Sequence, residues 1–293
     1  MATVCSSPYR SGRRLVVRAA LSEGEKLLAD WVDQILLDDL NAVLGKGRVL
    51  DIPAGTGKLC NRLEAMGYDI TAADLFPEKF RLPGHEAVRA DMNDRVPFED
   101  NAFDAIICQE GVEHVENLPS FFRECRRLLR DGGYLWVTTP NFMDLSGRLS
   151  YFLTGAKSFH TGFPNEETTV WGSNGDRFYH GHAFSLPFFQ IRYLLRLSQF
   201  DDITLSGLGR STTSRMLYPF VRPLSRLLIR RAFRRRSRKR KKEARQQSAS
   251  STLSTELEQL ALSPDLLCSR KICVRAVLRE GSFTLPEASL EAN

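Results

Sequence analysis

Between residues 23 and 140 the apolar positions switch repeatedly between helical spacing and short continuous runs. Glu23 to Leu44 carries Leu27, Leu28, Trp31, Ile35 and Leu40 at helical spacing, and Gly45 and Gly47 stop that helix. Residues 48–52 form a short apolar strand that enters a Gly-rich turn and then a helix over 58–66. Strands follow over 69–73, 86–90 and 103–109, the last a near-continuous apolar run suited to burial on both faces. Residues 118–130 read as a helix ended by Gly132 and Gly133, and 134–139 as a fifth strand stopped by Pro140. This alternation predicts a parallel sheet with helices on both faces, whose ligands sit beyond the carboxyl ends of the strands.

The pattern weakens after Pro140. Residues 141–184 form a Gly- and aromatic-rich excursion, read as a lid or substrate wall. A helix over 186–197 and a sixth strand over 202–206 come next, then a basic stretch in which Pro223 is placed to open a helix. A polar Gln/Ser-rich linker (246–254), a short helix (255–261) and a final strand (270–278) complete the pattern. The implied organisation is a basic lead (1–22), a core (23–209), an insertion and linker (210–254), a return to the core (255–280) and a tail (281–293).

Charge changes this picture in one place. The net charge of +6 conceals 15 Lys and Arg against a single acid, Glu243, between Arg210 and Arg245, while the rest of the chain carries 26 basic and 34 acidic residues. An acidic body therefore bears a basic arm, which suits a solvated segment, an anionic membrane or nucleic acid. No apolar run approaches the roughly 20 residues a spanning helix needs. The six cysteines are scattered without a CxxC pair, which points to reduced thiols in a cytoplasmic chain rather than a zinc site.

Candidate chemistry concentrates at the strand ends. In Val49-Leu50-Asp51-Ile52-Pro53-Ala54-Gly55-Thr56-Gly57 the glycines let backbone approach a ligand. A dinucleotide fingerprint would place a third glycine at Cys60, so a nicotinamide cofactor is disfavoured. Asp74 closes the next strand, where a carboxylate can accept both hydroxyls of a ribose, and Asp91-Met92 closes the third, where an acid can accept from an adenine amino group. The turn itself carries no basic cradle, which suits an adenosine without phosphates.

The run Phe103-Asp104-Ala105-Ile106-Ile107-Cys108-Gln109-Glu110-Gly111-Val112-Glu113-His114-Val115, with Leu128-Leu129-Arg130-Asp131-Gly132-Gly133-Tyr134-Leu135, resembles class I S-adenosyl-L-methionine (SAM)-dependent methyltransferases. Within them it is most similar to the small-molecule type-11 methyltransferase domain, over residues 45–207 and the final strand. The resemblance implies an α/β fold, a Rossmann-like doubly wound seven-stranded sheet whose last strand is antiparallel, here with a basic insertion before that strand. It implies S-adenosyl-L-methionine as cofactor, with Asp51, Pro53, Ala54, Gly55, Thr56 and Gly57 around the methionine end. Asp74 and Leu75 would hold the ribose, Asp91 and Met92 the adenine, and Gln109 the sulfonium side. Pro53 stands where the family pattern usually has glycine, so the first contact of the turn must differ.

Candidate bases for an acceptor are His114 after the fourth strand, and His180 and His182 before the helix at 186. The spacing of the last two could suggest a metal, but no carboxylate or cysteine completes a set, and no metal is expected. In the arm, Met216 to Arg245 mixes apolar residues with arginines ahead of a polybasic run that lacks interleaved aromatics. That pattern favours an interfacial helix on anionic lipid over single-strand stacking. The reading is O-methylation of a small-molecule, glycan or lipid-linked acceptor by a chain peripheral on the cytoplasmic membrane face. A non-catalytic SAM-binding scaffold, or a nucleic-acid binder using the arm, stands as the alternative.

Overall fold

The computed structural model describes residues 23–156, 163, 165, 167, 169–174, 177–181, 184–242 and 249–281. The basic lead (1–22) and the tail from 282 onward lie outside the described residues. Nine strands form in chain order: β1 (Arg48–Asp51), β2 (Asp69–Asp74), β3 (Ala87–Arg89), β4 (Phe103–Gln109), β5 (Leu129–Pro140), β6 (Val170–Asn174), β7 (Arg177–His180), β8 (Phe200–Arg210) and β9 (Ser269–Leu278). Seven of them make one sheet in the order β3-β2-β1-β4-β5-β9-β8, while β6 and β7 pair as a separate hairpin within the excursion. β1 to β5 are parallel to one another, and β9 is antiparallel to both β5 and β8. The expected seven-stranded sheet with an antiparallel last strand is the one that forms, with that strand wedged inside and β8 at the edge.

Side-chain alternation sorts the two faces of the sheet. Leu50, Ile106 and Cys108 pack with Phe121, Phe122 and Leu128 of α3 (Leu118–Leu128) and with Phe188, Ile191 and Leu195 of α5 (Phe188–Leu197). Val49, Ala105, Ile107 and Trp136 meet α1 (Glu23–Val43) and α2 (Lys58–Ala65) on the other face. The buried stripe of α1 is Val32, Leu36, Leu37 and Leu40, while Trp31 stays exposed. This stripe is rotated from the one expected because Asp39 is tied to the sheet: it accepts from Trp136 Nε1 at 2.8 Å and from Arg275 Nη1 at 2.6 Å.

Three expectations need correction. First, α3 ends at Leu128, and Leu129 already pairs with Phe103. The ladder then breaks until Tyr134 pairs with Ala105, and Gly132, with φ of 75°, serves this irregularity rather than a helix stop. Second, Pro223 does not open a helix. α6 (Thr212–Lys242) runs through both Pro219 and Pro223. An interior proline removes a backbone bond at about 3 kcal/mol, so tertiary packing must hold this helix. Leu217, Tyr218 and Val221 supply it against Leu145, Leu267 and Cys268. Third, residues 249–254, expected as linker, are the first turns of α7 (Ala249–Ala261), after which Ser263 caps α8 (Pro264–Cys268).

Asp144 joins two of these helices. Its Oδ1 accepts from Gly147 N at the start of α4 (Leu145–Thr154), and its Oδ2 accepts from Ser214 Oγ in α6 at 2.8 Å. Ser214 Oγ in turn accepts from Ser146 N. Asp144→Ala should lower stability by roughly 2–3 kcal/mol in urea denaturation, since it removes a helix cap and strands a buried hydroxyl.

Candidate functional site

The strand order turns at β1 and β4, neighbours whose following segments leave in different directions, and a crevice opens beyond their carboxyl ends. Asp51 closes β1 and is 1% exposed. Burial pushes its carboxyl up to about 7, the negative Asp74 and Asp33 add to that, and a hydrogen bond from Cys60 Sγ at 3.1 Å opposes it. Cys60 thus occupies the third-glycine position as a buried thiol donor. Burial and the adjacent Asp51 keep it protonated.

The turn after β1 owes its shape to Asp74. One carboxylate oxygen accepts from Gly55 N and the other from Phe76 N, both at 2.8 Å. Ala54 N donates to Ala73 O, which ties the turn to β2, and Gly57 N donates to Ala54 O, which closes the turn on itself. Gly55 and Gly57 both adopt left-handed φ, at 56° and 84°. A Cβ at Gly57 would come within 2.7 Å of the Phe80 ring, whereas one at Gly55 would meet nothing within 4 Å. Gly55 therefore offers bare backbone to open space. Pro53 follows a cis peptide, and its ring fills the space a Cβ on Gly111 would need. Thr56 is exposed and Leu75 half-buried beside the same turn.

The other sequence-derived residues gather around this turn with some changes of partner. Asp91 Oδ1 accepts from the Asn93 amide and side chain, and Met92 packs on the main core. Gln109 donates through Nε2 to Asp33 Oδ1 at 2.8 Å. Asp33, on α1, is 3% exposed and also pairs with Lys58 at 3.1 Å and Arg62 at 3.7 Å. Sequence reading missed it. Its signal was an acid inside a buried stripe, three and four residues before Leu36 and Leu37.

Beyond β4 stands a second acidic group that sequence reading also missed. Glu110, with φ of 51°, pairs with Lys271 at 2.7 Å. Glu113 is buried and accepts from Thr139 Oγ1 at 3.0 Å. Burial, then the negative Glu110, pushes Glu113 upward. Their signal was a pair of acids punctuating an otherwise apolar run.

The β6–β7 hairpin leans over the crevice from both sides. Tyr179 meets Phe76 edge-on at 6.0 Å, and Trp171 lies 4.6 Å from the His114 ring. His114 Nδ1 lies 3.0 Å from the carbonyls of both His180 and Gly181. His180 points its Nε2 to Glu116 at 3.0 Å. His114 and His180 therefore meet through backbone, not as two imidazoles on one point. His182 lies outside the described residues. Among the described residues no group of three His, Cys, Asp or Glu could hold a metal ion.

A family model described as a methyltransferase domain matches residues 50–137, from inside β1 to inside β5. Within those residues the chain is similar to a methyltransferase domain. Relatives of this methyltransferase domain include ubiquinone biosynthesis O-methyltransferases of Xanthomonas oryzae pv. oryzae (strain PXO99A) and Xylella fastidiosa (strain M23). Each is 37% identical over 107 residues, covering 33% of this chain and 45% or 44% of the relative. The chain thus spans less than half the length of these curated relatives. A SAM-dependent methyltransferase from Archaeoglobus fulgidus superposes with a TM-score of 0.51 at 15% identity, covering 85% of this chain and 93% of that one. That likeness is one of fold, and it matches the Rossmann-like sheet of the methyltransferase domain.

The raised pKa of Asp51 sets a pH dependence. Protonation is favoured in the folded state, so its contribution is present below the ordinary carboxylate pKa of about 4 and is lost as pH rises. Stability should fall between about pH 4 and about pH 7 and level off above that, by an amount on the order of a few kcal/mol. Asp51→Asn should remove this slope in urea melts across that range.

Proposed function

We propose that the chain is a SAM-dependent methyltransferase acting on an oxygen of a small-molecule, glycan or lipid-linked acceptor at a membrane surface. The observation that carries this reading is Asp51: a buried acid with acidic neighbours and, among the described residues, no cation against it, next to a glycine turn open to space. A cationic ligand relieves that cost, and a phosphate would worsen it. SAM bears both an ammonium and a sulfonium, so the residues fit the group. When bound, it supplies the activated methyl.

The chain's own residues then do three things. Asp51 receives the ammonium, with Pro53, Ala54, Gly55, Thr56 and Gly57 giving close backbone approach. Asp74 and Leu75 hold the ribose, Asp74 also keeping Gly55 in place, and Asp91 and Met92 flank the adenine. Gln109, braced by Asp33, bounds the sulfonium side. The hairpin excludes water and orients the acceptor, which is where positioning contributes most. His114 has its Nδ1 engaged by two carbonyls, so it acts as a base only through Nε2. His180 belongs to the acceptor wall. The oxygen acceptor is supported by the O-methyltransferase names of the domain's relatives.

Isothermal titration with S-adenosylhomocysteine, which keeps the ammonium, tests this directly. Binding should be roughly micromolar, and Asp74→Ala should weaken it by at least about tenfold because it also frees the turn. Gly57→Val should abolish it, since the new side chain strikes Phe80. Binding should release a proton near neutral pH and tighten as pH rises through about 7. A folded protein that binds nothing would make the non-catalytic scaffold the better reading.

A further inference from the structure

α6 presents three different faces. Ser214, Leu217, Tyr218, Val221 and Ser225 are its less exposed positions and follow helical spacing toward the body. Met216, Phe220, Leu224, Leu227 and Leu228 follow the same spacing on another side, and all are exposed, Phe220 at 77% and Met216 at 70%. Arg231, Arg234 and Arg235 continue that stripe, all exposed. Arg226 and Arg230 are different: both pair with Glu258 and hold α7 in place.

The neighbouring helix repeats the pattern. On α4, Leu149, Phe152 and Leu153 are three and four residues apart and exposed, Phe152 at 85%. Asp144, Ser146 and Ser214 lock the starts of α4 and α6 together by hydrogen bonds. α4 begins just after β5, whose carboxyl end bounds the crevice, and Asn141 fixes that junction by donating to Leu266 and Ser269 carbonyls at 2.7 Å. Water-facing helices normally carry polar residues at such positions, and clustered exposed apolar side chains mark an interaction surface.

We propose that the exposed apolar residues of α4 and α6 together form a docking surface for an anionic lipid bilayer, with Arg231, Arg234 and Arg235 of α6 resting on the headgroups. The inference rests on the reading that transfer takes place at a membrane surface, and it names the elements that make contact. Charge complementarity selects the partner: the stretch from Arg210 to Arg245 holds 15 basic residues and one acid. Apolar side chains beside such a run match a surface with an acyl interior under negative headgroups. No helix among the described residues is long and apolar enough to cross a membrane, so contact is from one side. The arrangement places the mouth of the crevice beside the lipid, where an acceptor with a lipid anchor would reach it without leaving the bilayer.

The test is flotation of the full chain with vesicles of phosphatidylcholine, with and without phosphatidylglycerol, alongside titration of each protein with S-adenosylhomocysteine. The chain should float with the anionic vesicles only, and less as salt is raised. Phe152→Ser with Leu153→Ser, and separately Phe220→Ser with Leu224→Ser, should each weaken flotation about tenfold while leaving the titration unchanged. These positions are exposed, so the variants should fold. Unaltered flotation of both double variants would overturn the apolar docking surface. So would failure of the parent chain to float with anionic vesicles while it is retained on RNA. Loss of S-adenosylhomocysteine binding across all proteins would sink the cofactor reading alone, because flotation reads the surface independently.

Discussion

Carboxylates buried at one end of a parallel sheet are the constraint around which this molecule is arranged. Asp33, Asp51 and Asp74 are each under a tenth exposed, and each must be given donors or lose its charge. Asp74 takes two backbone amides and so shapes the glycine turn. Asp33 takes Gln109 and Lys58 and so draws α1 over the crevice. Among the described residues Asp51 has only a thiol, and it is the one of the three whose burial raises its pKa to about 7. The unequal treatment of three acids separates two structural ties from one carboxyl held by a thiol.

The same logic extends past β4. Glu110 is matched by Lys271 on β9, and Glu113 by Thr139 on β5. The antiparallel last strand therefore does more than complete the sheet: it delivers a cation to the segment after β4. The hairpin closes this side of the crevice through ring contacts to Phe76 and His114, so the roof touches both the segment after β2, beside the glycine turn, and the segment after β4.

Between β8 and β9 the chain builds a second surface. Its helices are anchored by a small cluster of Leu145, Leu267, Cys268, Leu217, Tyr218 and Val221, and by the Asp144–Ser214 hydrogen bond. Burial on one side of α6 lets it pass two prolines, and an adjoining side is left apolar and uncovered. The insertion thus stands apart from the sheet in composition while being fastened to the strand end that bounds the crevice.

Much of this was legible in the chain itself. Period changes in hydrophobicity marked the strands and helices of the sheet, and the acids Asp51, Asp74 and Asp91 were visible as strand-end residues because strand ends follow from local pattern. The basic arm was legible from charge alone. The partners of these groups were not. That Gln109 meets Asp33 and that Glu110 meets Lys271 depends on contacts between residues 76 and 161 positions apart, which no local period encodes. The rotation of α1, the passage of α6 through its prolines and the hairpin over His114 were likewise decided by tertiary packing, because there the burial of distant side chains outweighs what the local sequence prefers.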